Sequence, residues 1–190
     1  YKGLFAHCRY YAQDFMRYEG YRGAYGAIDI VSSIEQIPVP DATFDVVLCT
    51  EVLEHVPEPI EAVKELARVL KPGGKMFLTA PLGSGLHQLP YHFYGGYTPE
   101  WYKRFLPQFG MKVTEISPNG GFFKHLAQEC ARFAWTFERH KHLHGANAQH
   151  LFTLFNETLP RYLFALDDHC FIEEFTIGYN VEAVKPAAGT

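Results

Sequence analysis

The sequence holds four cysteines, Cys8, Cys49, Cys130 and Cys170, spread far apart and with no Cys-x-x-Cys pair among them. That spacing suits reduced thiols in a cytoplasmic protein better than a disulfide framework or a cysteine zinc site. There is no run near the roughly 18 apolar residues that a membrane span requires, and no charged-then-apolar leader. Positive charge is also short. The formal net charge of -4 over 190 residues leaves no cluster of Lys and Arg to neutralise phosphates, which sets nucleic acid aside as a partner. An initiator Met is lacking too: the chain opens Tyr1-Lys2-Gly3-Leu4-Phe5, as if within a longer polypeptide.

What is plentiful is aromatic. Sixteen Phe and 12 Tyr accompany an otherwise ordinary globular composition, and such rings fill cores or line pockets. "CRYYAQDF" (8–15) and "GAIDIVSS" (26–33) read as strands ending at a polar edge, joined by the Gly- and Tyr-rich "MRYEGYRGAYG". After the turn signals of "IEQIPVPDAT" comes "FDVVLC" (44–49), continuously apolar and so expected to be buried on both faces of a parallel sheet. "PIEAVKELARVLKPGG" predicts a helix with Pro59 in its first turn, Ile60, Val63, Leu66, Ala67 and Leu70 on its inner face, and Lys71–Gly74 ending it. "KMFLTAP" follows as a buried strand. A long aperiodic connection, "LGSGLHQLPYHFYGGY", leads to a helix with Thr98 as cap and Pro99 first, then to the strand "MKVTEISP". Helices are expected over 122–140 and about 148–166, and "EFTIGYNVEAVKP" closes as an edge strand.

Strand and helix in alternation define an α/β fold with a mostly parallel sheet, in which ligands bind at the carboxyl ends of the strands. Asp14, Ser32, Ser33, Cys49, Thr50 and Glu51 would gather at that edge. The segment "IPVPDATFDVVLCTEVLEHVPEPIEAVKELARVLKPGGKMFLTAP" resembles the middle of a class I S-adenosylmethionine-dependent methyltransferase of the ubiquinone-type group, through its I-P-x-P-D-x-x-F-D entry, E-V-L-E-H-V turn and L-K-P-G-G helix end. The resemblance covers residues 8–81 well. It implies a Rossmann-like sheet with helices on both faces and an antiparallel C-terminal strand. It further implies one domain over 1–190, with a core of 1–118 and 174–186 and a helical lid or insertion over about 119–173.

By that resemblance, Asp14, with Phe15 beside it, stands where the family binds the ribose hydroxyls of S-adenosylmethionine; the alternative is an Asp capping the next turn. Ser33 and Ile34 stand at the adenine, with Ser replacing the family's acid, and Cys49, Thr50 and Glu51 run beneath the adenosyl and methionine portions. His55 falls near the sulfonium, as a base or orienting group for the acceptor, or else simply holds its own turn together. His87 and His92 are further candidate bases, in a connection whose Tyr91, Tyr94, Tyr97 and Trp101 suit a substrate lid. The family's first strand and glycine-rich loop are not found in these 190 residues, and roughly 30–50 upstream residues are expected on the family's domain size.

The expected function is methyl transfer to a small-molecule acceptor, by O- or C-methylation, with no metal required. Two other readings are a non-catalytic binding or scaffold module and a nicotinamide-linked oxidoreductase. His140, His142 and His144 alternate along a helix end, with His150 beyond; alternate positions point to different faces, so a solvated terminus is expected rather than a metal site. Asp167-Asp168 and Glu173-Glu174 are expected in a solvated turn. The aromatic helix near 151–166 suits a lid or a homodimer surface.

Overall fold

The computed structural model describes residues 2–16, 26–143 and 145–187. Among these residues six strands appear: β1 (Gln13–Asp14), β2 (Ile30–Val31), β3 (Phe44–Thr50), β4 (Leu70–Pro81), β5 (Lys112–Pro118) and β6 (Gly178–Val184). β1 and β2 pair in parallel with each other, while the remaining four form a sheet of order β3-β4-β6-β5. In it β3 and β4 are parallel, and β6 runs antiparallel between β4 and β5. The closing strand is therefore interior. The expectation of an edge strand fails because Tyr179, Val181 and Ala183 are buried between two partners that saturate its backbone on both sides.

Two expected strands shrink to two residues each. Asp29 is the reason: its carboxylate accepts from the Ala12 amide at 2.9 Å, and the Ala12 carbonyl takes the amides of Asp29 and Ile30. A side chain thus substitutes for a ladder bond and the pairing starts late. The linking loop falls largely on residues 17–25, outside those described.

Helix α1 (Pro59–Val69) covers one face of the sheet. Its buried side is Pro59, Ala62, Val63, Leu66, Ala67 and Val69, with Ile60 only half-buried. Of the predicted inner face Val63, Leu66, Ala67 and Leu70 are buried, Leu70 as the first residue of β4 since the helix stops at Val69, and only Ile60 departs from it. Lys185 closes that end by donating its Nζ to the carbonyls of Ala67 (2.7 Å) and Leu70 (2.8 Å), a cation where helix carbonyls lack partners. β3 is not buried on both faces: Val47 and Cys49 enter the core, whereas Val46 is 53% exposed and Leu48 37%. The open side forms a depression lined by residues of all four strands and by Phe5.

Helix α2 (Pro99–Phe105) begins after Thr98, whose backbone is extended as a cap residue requires although its side chain makes no capping bond. Helix α3 (Phe122–Arg139) buries Ala127, Cys130, Ala134 and Phe137 at helical spacing. α4 (Ala148–Thr153) passes through one wide turn, Leu154–Thr158, directly into α5 (Leu159–His169), so the predicted helix over 148–166 exists and runs three residues further. α3 and α5 enclose their own small cluster of Ala127, Cys130 and Leu163 with Phe123, Phe155 and Leu159 against it.

Asp167 does not lie in a solvated turn. It is 3% exposed, and its carboxylate accepts from the backbone amides of Gly121 (2.9 Å), Phe123 (3.1 Å) and Lys124 (3.3 Å), which caps α3 from α5. Gly121 is glycine because any side chain there would collide with that carboxylate. The neighbouring Asp168, Glu173 and Glu174 are exposed as expected.

Candidate functional site

The sequence candidates separate into two neighbourhoods. Asp14 sits at the end of β1, and its Oδ1 accepts from the Met16 amide at 2.6 Å, which holds Met16 at φ 53°. The turn-capping alternative is thus realised by one oxygen, while the other has no hydrogen bond among the described residues. Phe15 stands edge-on to Tyr91, centroids 5.0 Å apart, so the end of β1 touches the long connection. Ser33 is exposed and turned into its own loop: its hydroxyl donates to Glu35 at 2.9 Å and accepts from the Glu35 amide. Ile34 packs against the core. Ser33 therefore spends its hydroxyl locally.

At the end of β3, Cys49 is buried and its thiol is pushed up to about 12, by desolvation first and then by Glu54 and Glu51, so it is inert at neutral pH. Thr50 closes the strand. Glu51 follows at φ 51°, a left-handed backbone rarely adopted by a non-glycine residue; its amide donates to the Thr79 carbonyl at 2.9 Å and its carboxylate accepts from the Thr79 hydroxyl at 2.7 Å. Strain of this kind persists where surrounding bonds over-determine it and clusters at functional sites.

One short helical turn later, Leu53–His55, the chain presents Glu54 and His55. The connection after β4 folds back over this turn. Phe93 and Tyr94 donate their amides to the Glu54 carbonyl, the Tyr94 hydroxyl reaches the Pro57 carbonyl at 2.9 Å, and the Tyr97 hydroxyl reaches Leu53 at 2.7 Å. The Ser84 amide bonds the Gly95 carbonyl at 2.6 Å and the Tyr97 amide that of Pro81, which clasps the base of the loop. Gly96 permits this closure, since a methyl there would drive into the Leu82 carbonyl. Tyr97 is buried core, with its phenol raised by desolvation, and Trp101 packs against it; these two anchor the connection rather than forming a lid.

The result is a cluster of three imidazoles that the sequence named singly but did not place together. Ring centroids of His55 and His87 are 4.8 Å apart, His55 and His92 5.8 Å, and His87 and His92 4.4 Å. His55 Nδ1 bonds the Tyr91 carbonyl at 2.5 Å, so His55 secures the connection and not its own turn. His92 Nε2 meets the Ser84 hydroxyl at 3.1 Å. Desolvation chiefly holds both His55 and His92 below the ordinary histidine range, with His87 adding its charge effect, which keeps them neutral at pH 7. Glu54, missed by the sequence reading, is 2% exposed and raised to about 7 mainly by its burial. Nothing in composition signals a buried glutamate in "TEVLEHV"; only the packing of 91–97 on top of it does so. His140, His142 and His150 are exposed and stand apart from this cluster; His144 lies outside the described residues.

The comparisons with known proteins agree with this architecture. Residues 8–78 match the family described as a methyltransferase domain. Ubiquinone biosynthesis O-methyltransferase of Idiomarina loihiensis is 51% identical over 55 residues, 29% of this chain and 21% of that protein. 27-O-demethylrifamycin SV methyltransferase of Amycolatopsis mediterranei is 44% identical over 55 residues, 27% of this chain and 20% of that one. The chain thus spans about a fifth of the length of the curated relatives it matches. Among solved structures, a methyltransferase-like protein of Bacillus halodurans C-125 superimposes with TM-score 0.55 at 16% identity, covering 97% of this chain and 86% of its own. The cyclase SpnF gives 0.52 at 21%, covering 88% and 59%. The fold is Rossmann-like α/β. Over residues 8–78 its sequence is similar to the methyltransferase domain family.

Proposed function

We propose that the chain transfers a methyl group from S-adenosylmethionine to a small-molecule acceptor, by O- or C-methylation. The observation that carries this reading is the grouping after β3: Glu51 at its left-handed turn, then His55 with the rings of His87 and His92 against it, while Phe15, next to Asp14, touches Tyr91 of the same connection. Asp14 offers its other carboxylate oxygen to the ribose, with Phe15 beside it, while Thr50 and Glu51 face the methionine portion. Ile34 and the loop about Ser33 flank the adenine, where the acid that Ser33 lacks stands two residues on as Glu35. The sulfonium is already electrophilic, so the protein need only align the acceptor, exclude water and, for a hydroxyl, remove its proton. The neutral imidazoles of His55 and His92 suit that last task, with His87 packed against both. The names of the relatives, both transferring to oxygen, support an O-methyl product.

The domain plan that goes with this reading is one unit, with 1–118 and 174–186 as the catalytic core and about 119–173 as a helical lid. Separate buried clusters for the sheet and for α3 with α5 support it, as does Arg132 of α3, which comes up against Gly85 in the histidine-bearing connection. A cytoplasmic setting is supported by the four free thiols, and the acidic balance leaves nucleic acid out of the reading. No described helix is long and apolar enough to cross a membrane. Exposed Phe133, Trp135, Tyr162 and Phe164 support self-association through the helical pair.

Calorimetric titration of S-adenosylhomocysteine tests the reading, run on this chain and on the full natural polypeptide that carries it. Micromolar binding by either supports it. Failure of both overturns the cofactor assignment. Binding without turnover on any hydroxylated acceptor would favour the scaffold reading, to which the local engagement of Ser33 lends weight.

A further inference from the structure

Among the described residues, one grouping has the composition of a metal centre: Glu54, His55 and His87, with one ligand-type atom from each lying within 4.8 Å of the other two. Three features of these side chains go beyond proximity. The Glu54 carboxylate is buried, and its Oε2 has no hydrogen-bond partner among the described residues. A buried acceptor left unmade is costly, and in native proteins such an atom calls for an explanation. His55 Nδ1 bonds the Tyr91 carbonyl at 2.5 Å, and His87 Nδ1 bonds the Gly85 carbonyl at 2.9 Å. Carbonyl oxygens can only accept, so both rings carry their proton on Nδ1 and leave the Nε2 lone pair free. Backbone carbonyls that fix the tautomer in this way are the usual outer partners of metal-bound histidine. Finally, His55 Nε2 already faces the carboxylate, 3.7 Å from Glu54 Oε1.

We propose that Glu54, His55 and His87 bind a divalent transition ion of the zinc class. Two imidazoles and one carboxylate are a ligand set for zinc or for iron in its divalent state, and are too nitrogen-rich for calcium or magnesium. A four-coordinate ion with bonds of about 2.0–2.1 Å spaces its ligands roughly 3.4 Å apart, so binding contracts the group by about 1.4 Å at its widest. Half-buried His87, carried on the connection, is the member with room to move. Three protein ligands leave a coordination position open, as in catalytic rather than structural sites. The use of that position rests on the methyl-transfer reading: an acceptor hydroxyl taken there would lose its proton more readily, the proton passing to His92 or water. Binding of the ion itself does not rest on that reading.

The test uses the whole chain, stripped with a chelator and titrated with Co²⁺ as the probe, reading the visible d–d bands and then their loss on adding Zn²⁺. One ion per chain is expected, with His87→Ala abolishing the bands and Glu54→Gln weakening the affinity at least about tenfold. Circular dichroism of each variant checks that the fold survives. A triple variant, His140→Ala with His142→Ala and His150→Ala, should bind as the parent does. Absence of bands in the folded parent overturns the proposal. So does binding that survives both His87→Ala and His55→Ala, or that only the triple variant removes. Titrating S-adenosylhomocysteine into the same samples and into the full natural polypeptide separates the two readings: cobalt bound at these residues while neither polypeptide binds the nucleoside upholds the metal site and sinks the methyl-transfer reading, whereas the nucleoside bound without cobalt does the reverse.

Discussion

Each candidate side chain has its chemistry set by a few neighbours. Cys49 lies against the proposed cofactor segment, yet its thiol, raised to about 12, is 4% exposed, while Cys8 and Cys170 are exposed. Iodoacetamide at pH 7.5 should therefore label Cys8 and Cys170 in the native chain, and Cys49 only after unfolding; native labelling of Cys49 would show that the β3 end is open. Asp14 gives a second test at this scale. One of its oxygens is used by Met16, so Asp14→Ala should weaken S-adenosylhomocysteine binding by about 1–3 kcal/mol, the scale of a lost charged hydrogen bond, in calorimetry. Unchanged affinity would leave Asp14 as a turn residue alone. His55→Ala should lower turnover with little change in that affinity, because the ring lies with His87 and His92 rather than with Asp14. Equal losses in both would mark His55 as the strut for Tyr91.

Between elements, the strongest joins are made by single charged side chains. Arg68 on α1 donates to both oxygens of Glu65, to Asp41, and to the carbonyls of Ile37 and Val39, which straps the Ile37–Asp41 loop onto the helix. The guanidinium chiefly, through its hydrogen bonds, holds the Glu65 carboxyl below the usual carboxylate range. A depressed carboxylate stabilises the fold above its unfolded value and loses that contribution as pH falls through the folded one. Denaturant midpoints should thus drop on acidification below about pH 4.5, and Glu65→Gln should remove part of that slope. Asp167 does the corresponding work for the helical pair. Asp167→Ala removes the acceptor for three amides at the α3 terminus and should cost about 2–3 kcal/mol in urea unfolding. Neither strap was legible in the sequence. Periodicity located α1, α3 and α5 and the strands β3–β6, because each buries one regular face; it could not foresee that Asp167, 44 residues beyond Phe123, would cap α3, since that depends on how the helices pair. The same limit explains the site. "EHV" offered one imidazole and "LHQLPYH" two, and the bonds from Phe93, Tyr94 and Tyr97 to the 53–57 turn, with that between His55 and Tyr91, bring them together.

At the scale of the whole molecule the described residues form two cores of unequal size. The larger joins β3, β4 and β6 to α1, α2 and the 53–56 turn, and the smaller is confined to α3, α5 and the turn before α5. Strand β6 follows α5 in sequence yet sits in the centre of the sheet, so the helical pair is an excursion between β5 and β6 held at its base by Asp167 and by the Phe122 amide on Ile172. An excursion with a small core and many exposed rings can open while the sheet remains intact. Native-state hydrogen exchange should reveal this order: amides within α3 and α5 exchange through an opening of lower free energy than those of Met76, Leu78, Val181 and Ala183, whose strands are paired on both sides. Asp167→Ala should speed exchange across α3 and α5 and leave the β4 and β6 amides nearly unchanged. Equal acceleration in both regions would mean that helices and sheet unfold as one unit. A lid that moved over the histidine cluster would then have to carry the sheet with it, and the proposed division of the chain at 119–173 would have no mechanical meaning.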